Sequence, residues 1–208
     1  VINAQQGVEV GTEKFIRMAE KQSLPLIVAV NQLDGEKADW EHVQNSIKES
    51  FGKKAVYIQF PVSTGPGFDG FVDVLTMKYY HFKDANGTRE DLDIPADLMD
   101  MAEEARQELI EKAAEYDDTL MEKFFEAGSL TEDEIRQGLS QGIRQGEAYP
   151  VFCVSAKKDI GVKRVLEFTR RVAPVPVNKD EEPVSIFIYK NAVEQHLGEV
   201  SYFKVMSG

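Results

Sequence analysis

Two short runs of apolar residues constrain the fold of this chain more than any other feature. Residues 24–30 and 151–154 are nearly continuous series of apolar side chains. A strand that is apolar at successive positions is buried on both faces, as in a parallel sheet covered by helices. The sequence therefore predicts an α/β fold with a mostly parallel, Rossmann-like sheet.

Polar residues follow both predicted strands directly. Residues 31–34 read Asn-Gln-Leu-Asp, and residues 155–157 read Ser-Ala-Lys. In open α/β sheets, ligands bind just outside the carboxyl ends of the strands. We therefore expect these two loops to form one binding site.

The residue types in the two loops match the hydrogen-bonding groups of guanine. The Asp34 carboxylate can accept hydrogen bonds from the guanine N1–H and 2-amino groups, whereas adenine would leave it unpaired. The Asn31 amide can bridge the base edge and a neighbouring loop. The Ala156 N–H can donate to guanine O6, the Lys157 stem can cover the ring, and Ser155 shapes the loop.

Each loop alone has a simpler explanation. Asn and Asp often form turns and begin helices, so residues 31–34 could be only a turn. The combination, with each loop at a strand end, favours a guanine site.

Gln32 departs from the usual loop, which has a Lys at this position that packs on the base and braces the phosphate loop. Loss of a cation–ring contact costs ~0.5–2 kcal/mol. We therefore expect base affinity to be reduced by roughly 5- to 30-fold.

These motifs, with others along the chain, resemble translation elongation factor G. Residues 1–8 are similar to the strand and loop after the second switch of that family, and Pro61, Gly65 and residues 68–73 to the start of its insertion. Residues 159–162 follow the second guanine loop as in the family. Ribosome-protection proteins share this architecture.

The resemblance implies a partial P-loop GTPase domain with an α+β insertion, followed by the first β-hairpin of a β-barrel domain. Residues 1–60 and 149–174 would be the C-terminal half of the GTPase domain. Residues 61–148 would be the inserted subdomain, with a β-hairpin and acidic helices. Residues 175–183 would be a linker, and residues 184–208 the first strands of the second domain.

Local patterns predict further elements. Thr12 is the expected N-cap of a helix ending near Gln22, and Asp39 caps a second helix. Residues 56–60 are predicted to form one strand. Apolar and polar side chains alternate over residues 75–79, which predicts another strand, and Asn86-Gly87 predicts a hairpin turn. Residues 98–113 carry an apolar stripe at helical spacing: Leu98, Met101, Ala105, Leu109 and Ala113.

Two more helices are predicted near the second loop. Thr131 and Glu134 have capping-box spacing, and the helix that follows is expected to fray through Gly138, Gly142 and Gly146. Residues 161–172 form a closing helix whose inward side chains are Val162, Val165, Leu166 and Val172.

The charge distribution bears on partners. The net charge is −12, from 24 basic and 36 acidic residues, which argues against direct DNA binding. Between residues 90 and 134 only Arg106, Lys112 and Lys123 oppose the acidic side chains. This stretch is either a solvated helical face or a docking surface. The resemblance implies that the insertion contacts ribosomal stalk proteins and that the second domain contacts the small subunit.

The resemblance also implies GTP or GDP with Mg²⁺ in the full-length protein. It places the phosphate loop, the magnesium-binding Asp and the catalytic His before Val1. We therefore predict no catalytic residue, no metal ligand and no tightly bound nucleotide in this chain, which should be inactive alone. Three scattered histidines, one cysteine and no bilayer-spanning apolar run fit a cytoplasmic protein without membrane contact.

The sequence thus predicts a fragment of an elongation factor G-like translational GTPase that binds GTP and promotes ribosomal translocation. Two alternatives stay open. One is a divergent paralogue or ribosome-protection factor with weakened GTP dependence. The other is an acidic helical interaction module with a vestigial nucleotide fold.

Overall fold

The computed structural model describes residues 1–83, 87–173 and 180–208. The chain forms two units, Val1–Ala173 and Pro174–Gly208. The helices and strands of the first unit are, in chain order, β1 (Ile2–Asn3), α1 (Val10–Lys21), β2 (Val28–Asn31), α2 (Trp40–Phe51), β3 (Ala55–Tyr57), β4 (Gln59–Pro61), β5 (Gly70–Asp73), β6 (Lys78–Phe82), β7 (Arg89–Leu92), α3 (Met99–Glu115), α4 (Asp118–Ala127), α5 (Glu132–Gln145), β8 (Tyr149–Cys153) and α6 (Val162–Val172).

A parallel sheet with strand order β1-β2-β8-β3 confirms the predicted α/β fold. All five residues of β8 are buried, as expected for a strand between two parallel neighbours with helices on its faces. The first apolar run is only partly strand. Strand β2 begins at Val28, and Leu24 is exposed.

The predicted strand 56–60 is two strands in two different sheets. β3 pairs with β8 in the parallel sheet, whereas β4 pairs with β5 in an antiparallel sheet of order β4-β5-β6-β7. The chain crosses between the sheets at Ile58. Its N–H donates to Val151 O at 3.2 Å, and its carbonyl accepts from Val74 N–H at 3.0 Å.

The predicted strand at residues 75–79 is wrong in its first half. Residues 74–77 form a turn between β5 and β6, because the Asp73 carboxylate accepts hydrogen bonds from the N–H and hydroxyl of Thr76. The predicted Asn86-Gly87 turn falls partly on residues 84–86, outside the described residues. The flanking strands β6 and β7 pair antiparallel, with Phe82 opposite Arg89.

The helix caps agree with the sequence in two cases out of three. Asp39 accepts from His42 N–H at 3.0 Å, and Thr131 and Glu134 form the predicted capping box. Thr12 is not an N-cap, because α1 already begins at Val10. Helix α1 ends at Lys21, next to the predicted Gln22.

Helix α5 does not fray at its glycines, which contradicts the prediction. A Cβ atom on Gly138 would overlap Ala113 O, and one on Gly142 would lie 2.6 Å from the Tyr116 ring. The glycines therefore let α5 pack closely against α3. Only Gly146, at φ +74°, ends the helix.

Two predicted inward faces are partly wrong. In α3, Leu109 and Ala113 are buried as expected, but Met101 is 51% exposed. In α6, Leu166 is 65% exposed, and the buried side chains besides Val172 are Arg164 and Phe168. A pattern of apolar residues could not place Arg164 inside, since its burial depends on a carboxylate partner far away in the sequence.

The second unit is a β-hairpin of β9 (Ser185–Glu194) and β10 (Gly198–Ser207), as predicted. Most of its side chains are exposed. Residues 175–179 of the predicted linker lie outside the described residues. No helix in the described part of the chain is both long and apolar enough to cross a membrane.

Candidate functional site

The two predicted loops lie side by side because the strands that precede them are neighbours. Strands β2 and β8 run parallel, with Val30 opposite Cys153. The pairing continues one residue further, where Val154 N–H donates to Val30 O at 2.9 Å. Residues 31–34 and 155–157 therefore leave the sheet at the same edge.

A short hydrogen bond joins the two loops. The hydroxyl of Ser155, which is fully buried, donates to Asp34 Oδ1 at 2.6 Å. This bond fixes the half-buried Asp34 carboxylate. Its second oxygen has no hydrogen-bond partner in the part of the chain that the structure describes. The carboxylate is thus held at Oδ1, and Oδ2 together with the second lone pair of Oδ1 can accept further hydrogen bonds.

A second bond between the loops involves Asn31 and Ala156. The Ala156 N–H donates to Asn31 Oδ1 at 2.9 Å. The group predicted for guanine O6 is therefore paired with the Asn31 side chain, and a base oxygen would have to replace it. The next N–H, that of exposed Lys157, has no acceptor among the described residues.

Gln32 has an unusual backbone conformation. Its φ is +67°, in the left-handed region, where a side chain other than glycine costs about 1–2 kcal/mol. A turn closes over it, since Gly35 N–H donates to Gln32 O at 2.9 Å. The side-chain oxygen accepts from Asn3 Nδ2 at 2.9 Å. Gln32 is therefore tied to the edge strand β1.

Sequence reasoning missed Lys158. Its ammonium donates to the carbonyls of Pro66 at 2.8 Å and Phe68 at 3.2 Å. Nothing in the sequence distinguishes it from Lys157, because the acceptors are backbone atoms in a distant part of the chain.

A buried polar cluster supports β8 behind the second loop. Arg164 makes two hydrogen bonds to Asp73, at 2.7 and 3.1 Å. The Gln59 amide donates to Asp73 at 3.1 Å and accepts from Cys153 N–H at 3.0 Å. The cluster therefore fixes the strand two residues before Ser155.

The cluster also sets local ionisation. Burial alone would lower the pKa of Arg164, but the Asp73 carboxylate outweighs this effect and raises it. Burial, assisted by Asp73, raises the pKa of the Cys153 thiol well above its ordinary value. The thiol is therefore protonated at neutral pH and a poor nucleophile.

The donors and acceptors around the two loops suit a planar base better than a metal ion. The Asp34 carboxylate, the Asn31 amide and the Lys157 N–H belong to these loops. Among the described residues, no group of three or more His, Cys, Asp or Glu side chains is placed to hold a metal.

Comparison with known proteins gives two findings. Residues 1–175 match the family model of the elongation factor Tu GTP binding domain. The chain is also similar to a crystal structure of a protein from Thermus thermophilus, with a TM-score of 0.86 and 28% sequence identity. That match covers 100% of this chain and 31% of the other, so this chain spans less than a third of that protein's length.

Proposed function

Because the chain belongs to the family of the elongation factor Tu GTP binding domain, a translational GTPase domain, we propose that its loops 31–34 and 155–157 bind guanine. The observation that carries this proposal is the Ser155–Asp34 hydrogen bond, which holds a carboxylate beside the Ala156 and Lys157 N–H groups. The family assigns GTP binding in general, and the residues named are our proposal.

Each group has a role in recognising the base. The Asp34 carboxylate accepts from N1–H and the 2-amino group, which adenine lacks. A backbone donor at Ala156 or Lys157 meets O6, and the Asn31 amide lies between the base and the second loop. The Lys157 stem covers the ring. When bound, GTP with Mg²⁺ supplies the phosphate to be cleaved; we assign no residue of this chain to the phosphates or the metal.

We further propose that the whole protein resembles elongation factor G in promoting ribosomal translocation in the cytoplasm. Guanine nucleotide would control its engagement with the ribosome, and this chain alone would not hydrolyse GTP, because phosphoryl transfer needs the phosphate loop, metal and water-positioning group together. The second unit would contact the small subunit as part of a larger barrel.

A second candidate is a divergent paralogue with weakened GTP dependence, which the attachment of Gln32 to Asn3 favours.

A test of base reading is Asp34→Asn in the full-length protein, with binding of GDP and xanthosine diphosphate measured by titration. An amide donates to the 2-oxo group of xanthine, so we expect guanine-over-xanthine preference to fall by roughly 100-fold or more. Asp100→Asn, at an exposed position in α3, is the matched control and should leave the preference unchanged. If Asp34→Asn also leaves it unchanged, this loop does not read the base.

We propose that the acidic stretch of residues 90–134, which includes α3 and α4, docks on stalk proteins of the large ribosomal subunit. Glu103, Glu104 and Glu111 are exposed on α3. Attraction between such a surface and a basic partner weakens as salt screens charges beyond ~8–10 Å.

The docking test is the association rate with purified stalk protein at low and high salt. Replacing all three residues by Lys should slow association while the circular dichroism spectrum stays the same. If the rate ignores both salt and charge reversal, the helices are a solvated face only.

A further inference from the structure

We infer that Lys158 and the turn Gly65–Gly67 act together as a brace that positions the two loops of the candidate base site. The brace itself rests only on contacts within the chain. Its effect on nucleotide binding rests on the proposed function.

Both loops are attached to this one turn. On the first loop, Leu33 O accepts from Gly65 N–H at 2.8 Å. On the second, the Lys158 ammonium donates to Pro66 O at 2.8 Å and to Phe68 O at 3.2 Å. The turn therefore sets the spacing between the loops from a third side, independently of the bonds that the loops make with each other.

The backbone of Lys158 reaches into the site as well. Its N–H donates to Ser155 Oγ at 3.3 Å, and the same hydroxyl donates to Asp34 at 2.6 Å. A shift of Lys158 would therefore displace the serine that orients the carboxylate. We assign Lys158 no contact with the base, because its ammonium is engaged by the carbonyls of Pro66 and Phe68, and it is therefore a positioning residue.

The turn is a fixed support. Phe68 is fully buried in the core cluster that also contains Phe71 and Ile160. Phe68 N–H donates to Gly65 O at 2.9 Å, and the Ser63 hydroxyl donates to Gly67 O at 3.1 Å. Gly65 has φ +83°, a conformation that glycine adopts without strain. The ammonium of Lys158 thus meets carbonyls that are already held in place.

Lys157 and Lys158 are consecutive lysines with different surroundings. Lys157 is exposed and forms no ion pair or side-chain hydrogen bond among the described residues, whereas Lys158 is half-buried and donates to two carbonyls. Hydrogen bonds from a charged donor are about twice as strong as neutral ones. Of these two consecutive lysines only Lys158 takes part in the brace, and the Lys157 side chain stays available for the role proposed for it above.

The first measurement is amide hydrogen exchange of Ala156, whose N–H bonds to Asn31 across the loops. Lys158→Met removes the charge and keeps the stem, so this exchange should become about 10-fold faster. Lys158→Arg should restore at least half of the protection. Lys163→Met, an exposed position on α6, is the control and should change nothing. If Lys158→Met fails to fold, Lys158→Gln decides the point by the same measurement.

The second measurement is GDP dissociation from the full-length protein, which should become about 10-fold faster in Lys158→Met and stay unchanged in Lys163→Met. Unchanged Ala156 exchange overturns the brace. Faster exchange with unchanged GDP dissociation overturns its role in positioning the site. If the wild-type protein binds no guanine nucleotide, the proposed function fails, and the exchange data still support or overturn the brace.

Discussion

Replacement of Arg164 by Met should destabilise the fold strongly, because it would strand a buried charge. The Arg164 side chain is 5% exposed and the Asp73 side chain is fully buried. Methionine has a similar length and fills most of the space. The change therefore removes the positive charge and its two hydrogen bonds while creating little cavity.

The magnitude follows from what remains around Asp73. Removing one partner of a buried ion pair costs about 3–5 kcal/mol. Gln59 and Thr76 still donate to the carboxylate, which partly compensates its lost solvation. We therefore expect a loss near the lower limit, about 3 kcal/mol in the free energy of unfolding. Adding Asp73→Asn should recover part of this loss, since it removes the unpaired charge.

Urea unfolding measures this loss. With a denaturant slope of about 2 kcal/mol per molar, a loss of about 3 kcal/mol lowers the midpoint by about 1.5 M. Arg17→Met is the control, because Arg17 pairs with Glu13 on the surface and its loss should change stability by less than about 0.5 kcal/mol. If both variants shift the midpoint equally, the Asp73 carboxylate is not desolvated and the reasoning fails.

Three further predictions use other parts of the molecule. Gly138→Ala should destabilise by about 1–3 kcal/mol, since its Cβ would overlap Ala113 O, whereas Gly11→Ala, with open space around it, should stabilise by up to about 1 kcal/mol in the same urea assay. The hydrogen bond from Lys123 helps to lower the pKa of Glu134 from 4.5 to about 2. The ionised Glu134 therefore stabilises the fold fully above pH 4.5, and this contribution is lost as the pH falls towards 2. Glu134→Gln should flatten the pH dependence of the melting temperature in thermal melts. Gln32→Lys should tighten GDP binding by the full-length protein roughly 5- to 30-fold in titration.

Each of these has a contradicting result. A Gly138→Ala chain as stable as the wild type would mean that α3 and α5 separate at little cost. Identical pH profiles for wild type and Glu134→Gln would mean that the hydrogen bond from Lys123 does not lower the pKa of Glu134 in the folded chain. Unchanged GDP affinity in Gln32→Lys would mean that a lysine there contacts neither base nor phosphate loop.

Signals close together in the sequence were sufficient for the framework. The apolar runs predicted the two central strands, and the N-cap at Asp39 predicted the start of α2. The polar loops were predicted side by side for the same reason, since parallel neighbours end at one edge. Local patterns predict these elements because buried apolar side chains recur with the period of the helix or strand that contains them.

Features that depend on distant partners could not be predicted. A glycine in a helix indicates either a weak point or a close neighbour, and only the position of Ala113 decides for Gly138. The burial of Arg164 depends on Asp73, ninety-one residues away. The contacts of Lys158 depend on two backbone carbonyls in a remote turn. Each case needs the tertiary fold first.

The passage of one segment through both sheets has a mechanical consequence. Ile58 N–H donates to Val151 in the parallel sheet, and Ile58 O accepts from Val74 next to β5 in the antiparallel sheet. The backbone of this residue therefore connects the two sheets. A force on the antiparallel sheet is therefore transmitted to β8 through the two backbone hydrogen bonds of Ile58. Since β8 leads into residues 155–157, these hydrogen bonds limit how far that loop can move relative to the antiparallel sheet.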